Sequence, residues 1–444
     1  MGKIIEYSSE NKFLEQLSKF DICENPYQSF AYYSVYFEFY KSQKYRFFDV
    51  FDNNNKLLGI VPLQCYKRLF GVELLRFIGY GQFNYEQYIC RNEDTELVHE
   101  IFVNYIKTRK GRVIIDFFDI NNTMPLYELL CKEVAIKTVI QLYGCPLVDF
   151  KEECFDDFFK NAFKEAKKRT ELKKFQKKLE GIGDFKICNV KDKSTYMEYE
   201  KYLPDMYRVF AERFAGVYAT SFFSSPSMRP YYEKLIKTLV EHRKGFISLM
   251  LLDDTLIAFI FCLSNHNTLI DWIPAFDPAF SKYNLGTVQY KMLFEEMCSD
   301  KSYEYFDFSK GSTVYKKKWS KNETYNYQFI VNYAPNNIIA SMMYIIYKSF
   351  FQFKTMMRNY GINDKIKHLI GSFQKIFKRE NSQNAIVSFE EIERSQNGNS
   401  FKYSDLKLFP VNVRMEILNR MYAGFVLEDV MTDGNTYTIS MSKI

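Results

Sequence analysis

The sequence predicts an α/β protein built from two similar domains with mixed sheets. The chain has 444 residues, about three times the usual domain length of roughly 150. Hydrophobic residues make up 47% and aromatic residues 18% of the sequence, which is enough for large cores. Each half also carries a hairpin, a strand, a helix and a further strand in the same order, as expected for an internal duplication.

Residues 1–150 form the first predicted domain. A helix around Ser9–Phe20 precedes a hairpin whose two strands are Tyr45–Phe51 and Lys56–Gln64. A strand, a helix, a strand and a helix then follow at Leu74–Gly81, Thr95–Thr108, Arg112–Ile120 and Pro125–Lys132. This order predicts a mixed sheet covered by helices.

Residues 151–335 form the second predicted domain, which opens with a basic helix at Ala162–Leu179. Its lysines surround an apolar stripe of Leu172, Phe175 and Leu179 at helical spacing. Two interpretations stay open, either a solvated linker helix or a surface that recruits an anionic substrate, a lipid surface or tRNA. The remaining elements are a strand at Phe185–Val190, helices at Thr195–Phe214 and Ser227–His242, and a hairpin of Phe246–Leu252 and Leu256–Ser264.

The stretch Phe276–Trp319 carries the clearest functional signal. A strand at Thr268–Ala275 leads through a short loop into a helix that begins near Leu285, and a strand at Tyr303–Phe308 leads into a basic loop. The first turn of a helix has unpaired N–H groups and the positive end of the helix dipole. A strand, a small-residue loop and a helix in this order therefore predict a binding site for an anionic cofactor.

Three segments complete the predicted domain organisation. Residues 336–380 are helical and basic, and either pack on the second domain or form an interfacial membrane helix. Residues 381–400 are polar and predict a linker. Residues 401–444 form a small element that ends in strands at Gly424–Val430 and Thr436–Met441, and the sequence gives no role for it.

Composition narrows the functional classes. The net charge of +6 comes from 60 basic and 54 acidic residues, so no nucleic-acid partner is expected. The nine cysteines include no CxxC pair, which predicts reduced thiols and no metal site. No signal peptide is recognisable, and the uncharged stretch Gln328–Tyr347 contains Asn and Pro residues that disfavour a membrane span. We therefore expect a cytoplasmic protein; peripheral association with the cell membrane and the oligomeric state remain open.

The second half resembles the GNAT acyltransferase superfamily and, more narrowly, the CelD-like acetyltransferases of cellulose and other polysaccharide biosynthesis. The resemblance covers about Asn25–Val331. It rests on a series of motifs that occur in the family's order, namely Asp277-Pro278, Asn284-Leu285-Gly286-Thr287, Asp307, Gly311, Tyr315-Lys316 and Trp319. The resemblance implies two tandem GNAT-like domains.

Two positions depart from the family pattern. Leu285 stands where the family usually has Pro before the Gly, so the loop lacks the φ restraint of Pro. Asn84 replaces an Asp before Tyr85, and no charge-dependent role is carried over to it.

The resemblance implies acetyl-CoA or another acyl-CoA as the cofactor, without a metal. Gly286 permits close backbone approach, Thr287 can cap the helix, and Lys282 offers an ammonium to a phosphate. The full set of predicted cofactor-binding residues is Trp272, Ile273, Ala275, Lys282, Tyr283, Asn284, Leu285, Gly286 and Thr287.

The predicted catalytic residues are Asp307, Tyr315 and Lys316. Asp307 is a candidate base or acceptor-orienting carboxylate, although an ion pair with Lys310 or Lys316 that only fixes the loop explains its position equally well. Lys316 is the candidate for oxyanion stabilisation and Tyr315 for protonation of the departing thiolate. The predicted substrate-binding residues are Lys310, Gly311, Tyr85 and Arg213.

Three functions are compatible with these features. The leading hypothesis is acyl transfer from acyl-CoA to an amino or hydroxyl group of a glycan, nucleotide-sugar or lipid-linked acceptor in polysaccharide or cell-envelope biosynthesis. A Fem-type aminoacyl transferase that uses charged tRNA and a cell-wall precursor is the alternative. The third is a non-catalytic scaffold of a glycan synthase complex.

Overall fold

The structure is a computed structural model of the chain. It describes residues 2–20, 25–41, 44–109, 112–151, 154–215, 223, 225–359, 386–391, 403–423, 425–432 and 436–443. The predictions for residues 360–385, for most of the linker and for the turn at 433–435 lie outside the described residues.

Sixteen strands are described. In chain order they are β1 (Lys3–Tyr7), β2 (Tyr45–Phe51), β3 (Leu57–Leu69), β4 (Val72–Phe77), β5 (Ile89–Cys90), β6 (Arg112–Asn121), β7 (Ile136–Asp149), β8 (Phe185–Val190), β9 (Gly245–Leu252), β10 (Thr255–Asn265), β11 (Thr268–Phe276), β12 (Tyr305–Asp307), β13 (Asn322–Asn332), β14 (Ile386–Glu391), β15 (Phe425–Thr432) and β16 (Thr436–Lys443).

The described helices alternate with these strands. They are α1 (Glu10–Lys19), α2 (Phe30–Phe39), α3 (Thr95–Thr108), α4 (Pro125–Lys132), α5 (Phe155–Ala162), α6 (Ala166–Glu180), α7 (Lys193–Tyr199), α8 (Leu203–Arg213), α9 (Arg229–Glu241), α10 (Leu285–Asp300), α11 (Val314–Trp319), α12 (Ile338–Asn359), α13 (Tyr403–Leu406) and α14 (Val411–Tyr422). The described residues contain no helix that is long and apolar enough to cross a bilayer.

The chain divides into two compact units. Unit 1 comprises Met1–Val148, Leu263–Ile270 and Phe306–Asp364, and unit 2 comprises Asp149–Cys262, Asp271–Tyr305 and Lys365–Ile444. Both units are assembled from non-contiguous segments of the chain. In unit 1, for example, β13 pairs with β6 and β7 of the N-terminal part. The fold is mixed α/β, as the sequence predicts.

Unit 1 contains a sheet with the strand order β1-β2-β3-β4-β6-β13-β7. Strands β4 and β6 are parallel and joined through α3, whereas β13 is antiparallel to both of its neighbours. Apolar side chains of α3 and α4 bury one face of this sheet, with Val98 and Phe102 on α3 and Leu126 and Leu130 on α4. Burial of such side chains is worth about 1.5–3 kcal/mol each.

Helix α12 covers part of the other face of that sheet. Ala340, Tyr344 and Phe351 pack against a cluster that includes Val72 and Ile114. The hydroxyl of Tyr344 also lies 2.6 Å from that of Thr138, and the Tyr347 hydroxyl donates to Asp116 at 2.9 Å. These contacts fix α12 on unit 1.

Unit 2 contains the strand order β11-β10-β9-β8 and a separate small sheet, β14-β16-β15. Every residue of β9 is buried, and so is β10 up to its last residue, which is the pattern of strands covered on both faces. Strand β14 lies inside the segment predicted as a linker, where it pairs in parallel with β16.

Most predicted elements occur within one or two residues of their predicted ends. The predictions missed β1, β5, β7, β13, β14, α2, α5, α13 and α14. They also read α11 as part of a loop, and they read α7 and α8 as one helix. The predicted basic helix Ala162–Leu179 corresponds to α6, which begins at Ala166 because the chain turns after the end of α5 at Ala162. The Arg169 guanidinium stabilises this break by donating to the backbone carbonyl of Lys164 at 2.9 Å.

Candidate active site

Asp307, the last residue of β12, lies in a polar cluster of unit 1. The Tyr85 hydroxyl donates to one Asp307 carboxylate oxygen at 2.6 Å, and the Ser309 backbone N–H donates to the other at 2.7 Å. Asp307 itself is half-buried, whereas Tyr85 is buried. The structure thus brings together one predicted catalytic residue and one predicted substrate-binding residue.

Tyr85 reaches Asp307 because its backbone is held in the left-handed region, with φ of 59°. Asn25 stabilises this conformation by donating from its side-chain amide to the Tyr85 carbonyl at 2.6 Å. The neighbouring Asn84 donates to the hydroxyls of Ser309 and Tyr27, both at 2.9 Å. The residue that departs from the family pattern therefore ties the Tyr85 segment to the Asp307 loop.

The electrostatic environment shifts the acid–base behaviour of Asp307. Burial raises the pKa of its carboxyl group, while the hydrogen bonds from Tyr85 and Ser309 and the charge of Lys316 oppose that rise. A carboxylate whose pKa lies above its usual range holds a proton more readily near neutral pH. This property suits a general base.

The two lysines proposed as ion-pair partners of Asp307 bind other groups. The Lys316 ammonium donates to the backbone carbonyls of Phe308 at 2.6 Å and Lys310 at 3.0 Å, so two of its three N–H donors hold the loop in place. The Lys310 ammonium lies 3.1 Å from a carboxylate oxygen of Asp119.

Gly311 and Tyr315 occupy different environments on the same loop. Gly311 has φ of 92°, a conformation that L-residues rarely adopt, and its N–H donates to the Gly144 carbonyl at 3.0 Å. Tyr315 lies on the short helix α11 with 42% of its surface exposed, and its ring centroid is 6.3 Å from that of Phe308. The structure gives Gly311 a backbone role and leaves the Tyr315 side chain open to solvent.

Sequence reasoning missed three interior carboxyl groups of unit 1, which belong to Glu86, Asp116 and Asp119. Asp119 has φ of 65° at a β-bulge, where the register between β6 and β13 shifts. A bulge turns a side chain away from the regular alternation, so a strand pattern cannot place Asp119. Tyr143 and Asn326 both donate to its carboxylate.

Asp116 and Glu86 are buried more deeply than Asp307. Burial raises the pKa of Asp116 to about 6, although the hydrogen bonds from Gln328 and Tyr347 lower that pKa. Glu86 is 1% exposed, and neither of its carboxylate oxygens has a hydrogen-bond partner among the described residues. Burial, followed by the charges of Asp119 and Asp116, raises the pKa of Glu86 well above its usual range, which favours a neutral carboxylic acid.

Unit 2 contains the predicted cofactor anchor at the start of α10. Asn284 has φ of 51° and ψ of 39°, and this left-handed residue separates a 3-10 turn, Pro278–Tyr283, from the helix. The Thr287 and Val288 amides donate to the Asn284 carbonyl at 3.0 and 3.1 Å. The Leu285 and Gly286 amides have no backbone carbonyl partner among the described residues, so they are available donors at the positive end of the helix dipole. A 16-residue helix of this kind suits the phosphates of an acyl-CoA.

Gly286 and Arg213 meet at the ring of Phe276. A Cβ atom at Gly286 would lie 3.2 Å from that ring, so the missing side chain permits Phe276 to pack against the helix start. The Arg213 guanidinium lies over the same ring, 4.4 Å from its centroid. Arg213 was predicted to bind substrate, and the structure places its charge beside the anchor.

The other predicted anchor residues separate into exposed and buried groups. Lys282 and Asn284 are exposed, whereas Tyr283 and Leu285 are buried. Thr287 is not the cap of α10, because Asn284 occupies the cap position and the Thr287 hydroxyl donates to the Asn284 side chain at 2.7 Å. The predicted capping role of Thr287 is wrong, because Asn284 ends the preceding turn in a left-handed conformation and occupies the cap position.

On β11, side-chain alternation separates the three predicted residues. Ile273 and Ala275 are buried in the core, and Trp272 lies on the opposite face. The Trp272 ring packs against Phe261 and Tyr232, at centroid distances of 5.4 and 6.2 Å.

The Asp277-Pro278 motif has a structural role within unit 2. Asp277 accepts a hydrogen bond from the Ala279 N–H at 2.9 Å and forms a buried ion pair with Arg414 of α14. Arg414 also binds Glu212 at 2.7 Å, and Arg208 lies 3.6 Å from Asp277. The C-terminal element, whose role the sequence left open, thus anchors the turn that precedes α10.

A hydrogen bond and ring contacts extend this docking. The Tyr283 hydroxyl donates to the Leu418 carbonyl at 3.0 Å, and its ring centroid lies 5.1 Å from that of Tyr422. The Lys178 ammonium of α6 donates to the Tyr422 carbonyl at 2.8 Å.

Comparison with known proteins adds a family assignment for part of the chain. Residues 166–317 match the family model described as the acetyltransferase (GNAT) domain. This region, about a third of the chain, is similar to a GNAT-type acetyltransferase domain. The matched region contains α6, β11, the 3-10 turn, α10 and Asp307. A comparison with curated proteins finds no match.

Several solved structures are similar to the chain at low sequence identity. FemX shares 9% identity with a TM-score of 0.49, covering 75% of this chain and 98% of that one. The C-terminal domain of a putative lysylphosphatidylglycerol synthetase from Agrobacterium fabrum shares 12% identity with a TM-score of 0.46, covering 75% and 95%. A tandem GNAT protein from the clavulanic acid biosynthesis pathway shares 7% identity with a TM-score of 0.39, covering 76% and 100%.

Among the described residues, no group of three or more His, Cys, Asp or Glu side chains is arranged to hold a metal ion.

Proposed function

We propose that this protein is an acyltransferase that transfers an acyl group from acetyl-CoA or another acyl-CoA to an amino or hydroxyl group of a sugar or glycan precursor in polysaccharide or cell-envelope biosynthesis. The observation that carries the proposal is the start of α10, inside the region that matches the acetyltransferase domain. The glycan acceptor comes from the resemblance of the motifs to CelD-like proteins.

The residues at this helix fit a CoA pyrophosphate. The Leu285 and Gly286 amides provide N–H donors, and Arg213 and Lys282 provide two positive charges. When bound, the cofactor would supply a thioester carbonyl for attack by the acceptor.

The Asp307 cluster fits the proton transfer that acyl transfer requires. The Asp307 carboxylate would take the proton of the acceptor amine or hydroxyl, and the Tyr85 hydroxyl would orient that carboxylate through the 2.6 Å hydrogen bond. Lys316 would position the loop through the Phe308 and Lys310 carbonyls. Its third N–H, which has no hydrogen-bond partner among the described residues, would stabilise an oxyanion. Tyr315, which is exposed, stays the candidate for protonating the thiolate.

Calorimetric titration with acetyl-CoA tests the cofactor assignment. We expect binding by the wild-type protein and weaker binding by Arg213→Met and Lys282→Met, each by about two- to tenfold, as for the loss of one surface charge near a phosphate. Lys237→Met, an exposed charge change on α9, is the matched control and should bind normally. Absence of binding by the wild-type protein would reject the proposal.

One observation favours the Fem-type alternative. The lysines of α6, which include Lys167, Lys173 and Lys177, form an exposed basic face that could contact tRNA. Transfer from charged tRNA that is lost after ribonuclease treatment, without activity on acyl-CoA, would select this alternative.

A further inference from the structure

Helix α12 presents a second apolar face whose side chains are largely exposed. The residues of this outer face share large apolar side chains that are more than a third exposed. They are Ile338, Ile339, Met342, Ile345, Ile346, Phe350, Phe353 and Met356. Ile338 is 77%, Ile346 63% and Phe350 60% exposed. Exposed contiguous apolar patches of this kind mark interaction sites.

The outer face lies opposite the side of α12 that packs on the sheet. At about 100° per residue, the exposed apolar residues span an arc of about 140°. The buried Ala340, Tyr344 and Phe351 and the partly buried Tyr347 lie on the other side. The helix is therefore apolar on two faces, and only one of them packs against the sheet of unit 1. Packing within unit 1 does not explain the outer face.

The charges on α12 border the outer face. Its 22 residues include no Asp or Glu, and Lys348 and Lys354 fall on its two opposite edges. Each lysine lies over an inner aromatic ring, with Lys348 5.3 Å from the Tyr344 centroid and Lys354 5.9 Å from the Phe351 centroid. Lysines that flank an apolar face can extend their ammonium groups to lipid headgroups while the apolar side chains enter the bilayer boundary.

A neighbouring hairpin tip has the same character. Phe70, between β3 and β4, is 77% exposed and follows the exposed Lys67 and Arg68. Two residues later, Val72 belongs to the apolar cluster on which α12 packs. An aromatic side chain beside basic residues is typical of a membrane-contacting loop.

We propose that the outer face of α12 docks unit 1 onto an anionic phospholipid surface, with the helix lying in the plane of the interface. Charge complementarity selects this occupant: α12 is positively charged and has no acidic side chain, and anionic headgroups supply the opposite charge. A second copy of the chain packed on the same face would bring Lys348 and Lys354 of both copies together with no carboxylate on α12 to pair with them. The proposal goes beyond the acyl transfer proposed above and does not depend on it.

Vesicle co-sedimentation of the full chain tests the proposal. We expect binding to vesicles containing phosphatidylglycerol and little binding to pure phosphatidylcholine. Ile346→Glu combined with Phe350→Glu should abolish sedimentation, because it places two carboxylates in the apolar face. The matched control is Met197→Glu combined with Leu408→Glu, two exposed apolar residues of unit 2, which should sediment as the wild type does.

Charge variants separate α12 from the basic helix α6. Lys348→Gln with Lys354→Gln should weaken binding about thirtyfold, the effect of removing two surface lysines near anionic lipid. Lys167→Gln with Lys173→Gln on α6 should leave binding unchanged. All replaced side chains are at least partly exposed, so unchanged thermal unfolding would show that the variants fold.

Three results would overturn the proposal. The first is a wild-type protein that does not sediment with phosphatidylglycerol vesicles, and the second is a set of α12 variants that still sediment. The third is a wild-type dimer in light scattering that Ile346→Glu with Phe350→Glu converts to monomer, which would identify a second copy of the chain as the occupant.

Discussion

The replacement of Arg414 by Met tests whether the C-terminal element supports the turn before α10. Arg414 is fully buried, and its guanidinium binds Asp277, Glu212 and the Phe409 carbonyl. Asp277 is also fully buried, so the substitution leaves a carboxylate without its main partner. Loss of one member of a buried ion pair costs about 3–5 kcal/mol.

The lower end of that range applies here, because Arg208 lies 3.6 Å from the same Asp277 oxygen and can partly replace the lost charge. We expect a loss of about 3 kcal/mol in the free energy of unfolding of unit 2. For a unit of this size, 1 kcal/mol shifts the melting temperature by about 2–4 °C, so the expected decrease is about 6–12 °C.

Thermal and urea unfolding provide the measurement, with Arg420→Met as the control. Arg420 lies on the same helix, but its ion pair with Glu416, at 3.7 Å, is exposed and worth about 0–1 kcal/mol. Asp277→Asn combined with Arg414→Met should lose less stability than the sum of the two single variants, because the residues are in contact. Equal melting temperatures for Arg414→Met and Arg420→Met would refute the docking of α14 on this turn.

Further predictions concern the two candidate sites and the interior of unit 1. Asp307→Asn should reduce kcat/KM for acyl transfer by about 10²–10⁴-fold and Tyr85→Phe by less, with unchanged acyl-CoA affinity; full activity of Asp307→Asn would exclude it as the base. Gly286→Val should weaken acyl-CoA binding, measured by calorimetry, because a Cβ would press on Phe276 at 3.2 Å; wild-type affinity would contradict this. Burial raises the pKa of Asp116 from 3.8 to about 6, so the folded state binds more protons than the unfolded state between these values. Stability should therefore fall by about 3 kcal/mol as the pH rises from about 4 to 6, and Asp116→Asn should flatten this slope in urea titrations; an unchanged slope would contradict it.

Local sequence signals predicted most of the helices and strands. The helices Thr95–Thr108 and Pro125–Lys132 and the strands Tyr45–Phe51 and Phe185–Val190 occur at their predicted bounds, because apolar periodicity and capping depend on nearby residues only. Strand β13 was missed, since its polar residues Asn326 and Gln328 are buried by hydrogen bonds to other strands. A polar residue satisfied by a distant partner gives no local signal.

The sequence by itself determined the α/β class, the order of the elements and the stretch Phe276–Trp319 that carries the functional motifs. The tertiary structure decided which of these residues meet. In the folded protein Tyr85 donates a hydrogen bond to Asp307, which is 222 positions away in the sequence. Lys316 donates to two backbone carbonyls, and Asp277 pairs with Arg414, which follows it by 137 positions. Such pairings depend on strand order and on left-handed backbone positions such as Tyr85 and Asn284. Periodicity along the chain does not encode these long-range contacts, since it reports only which residues share a face.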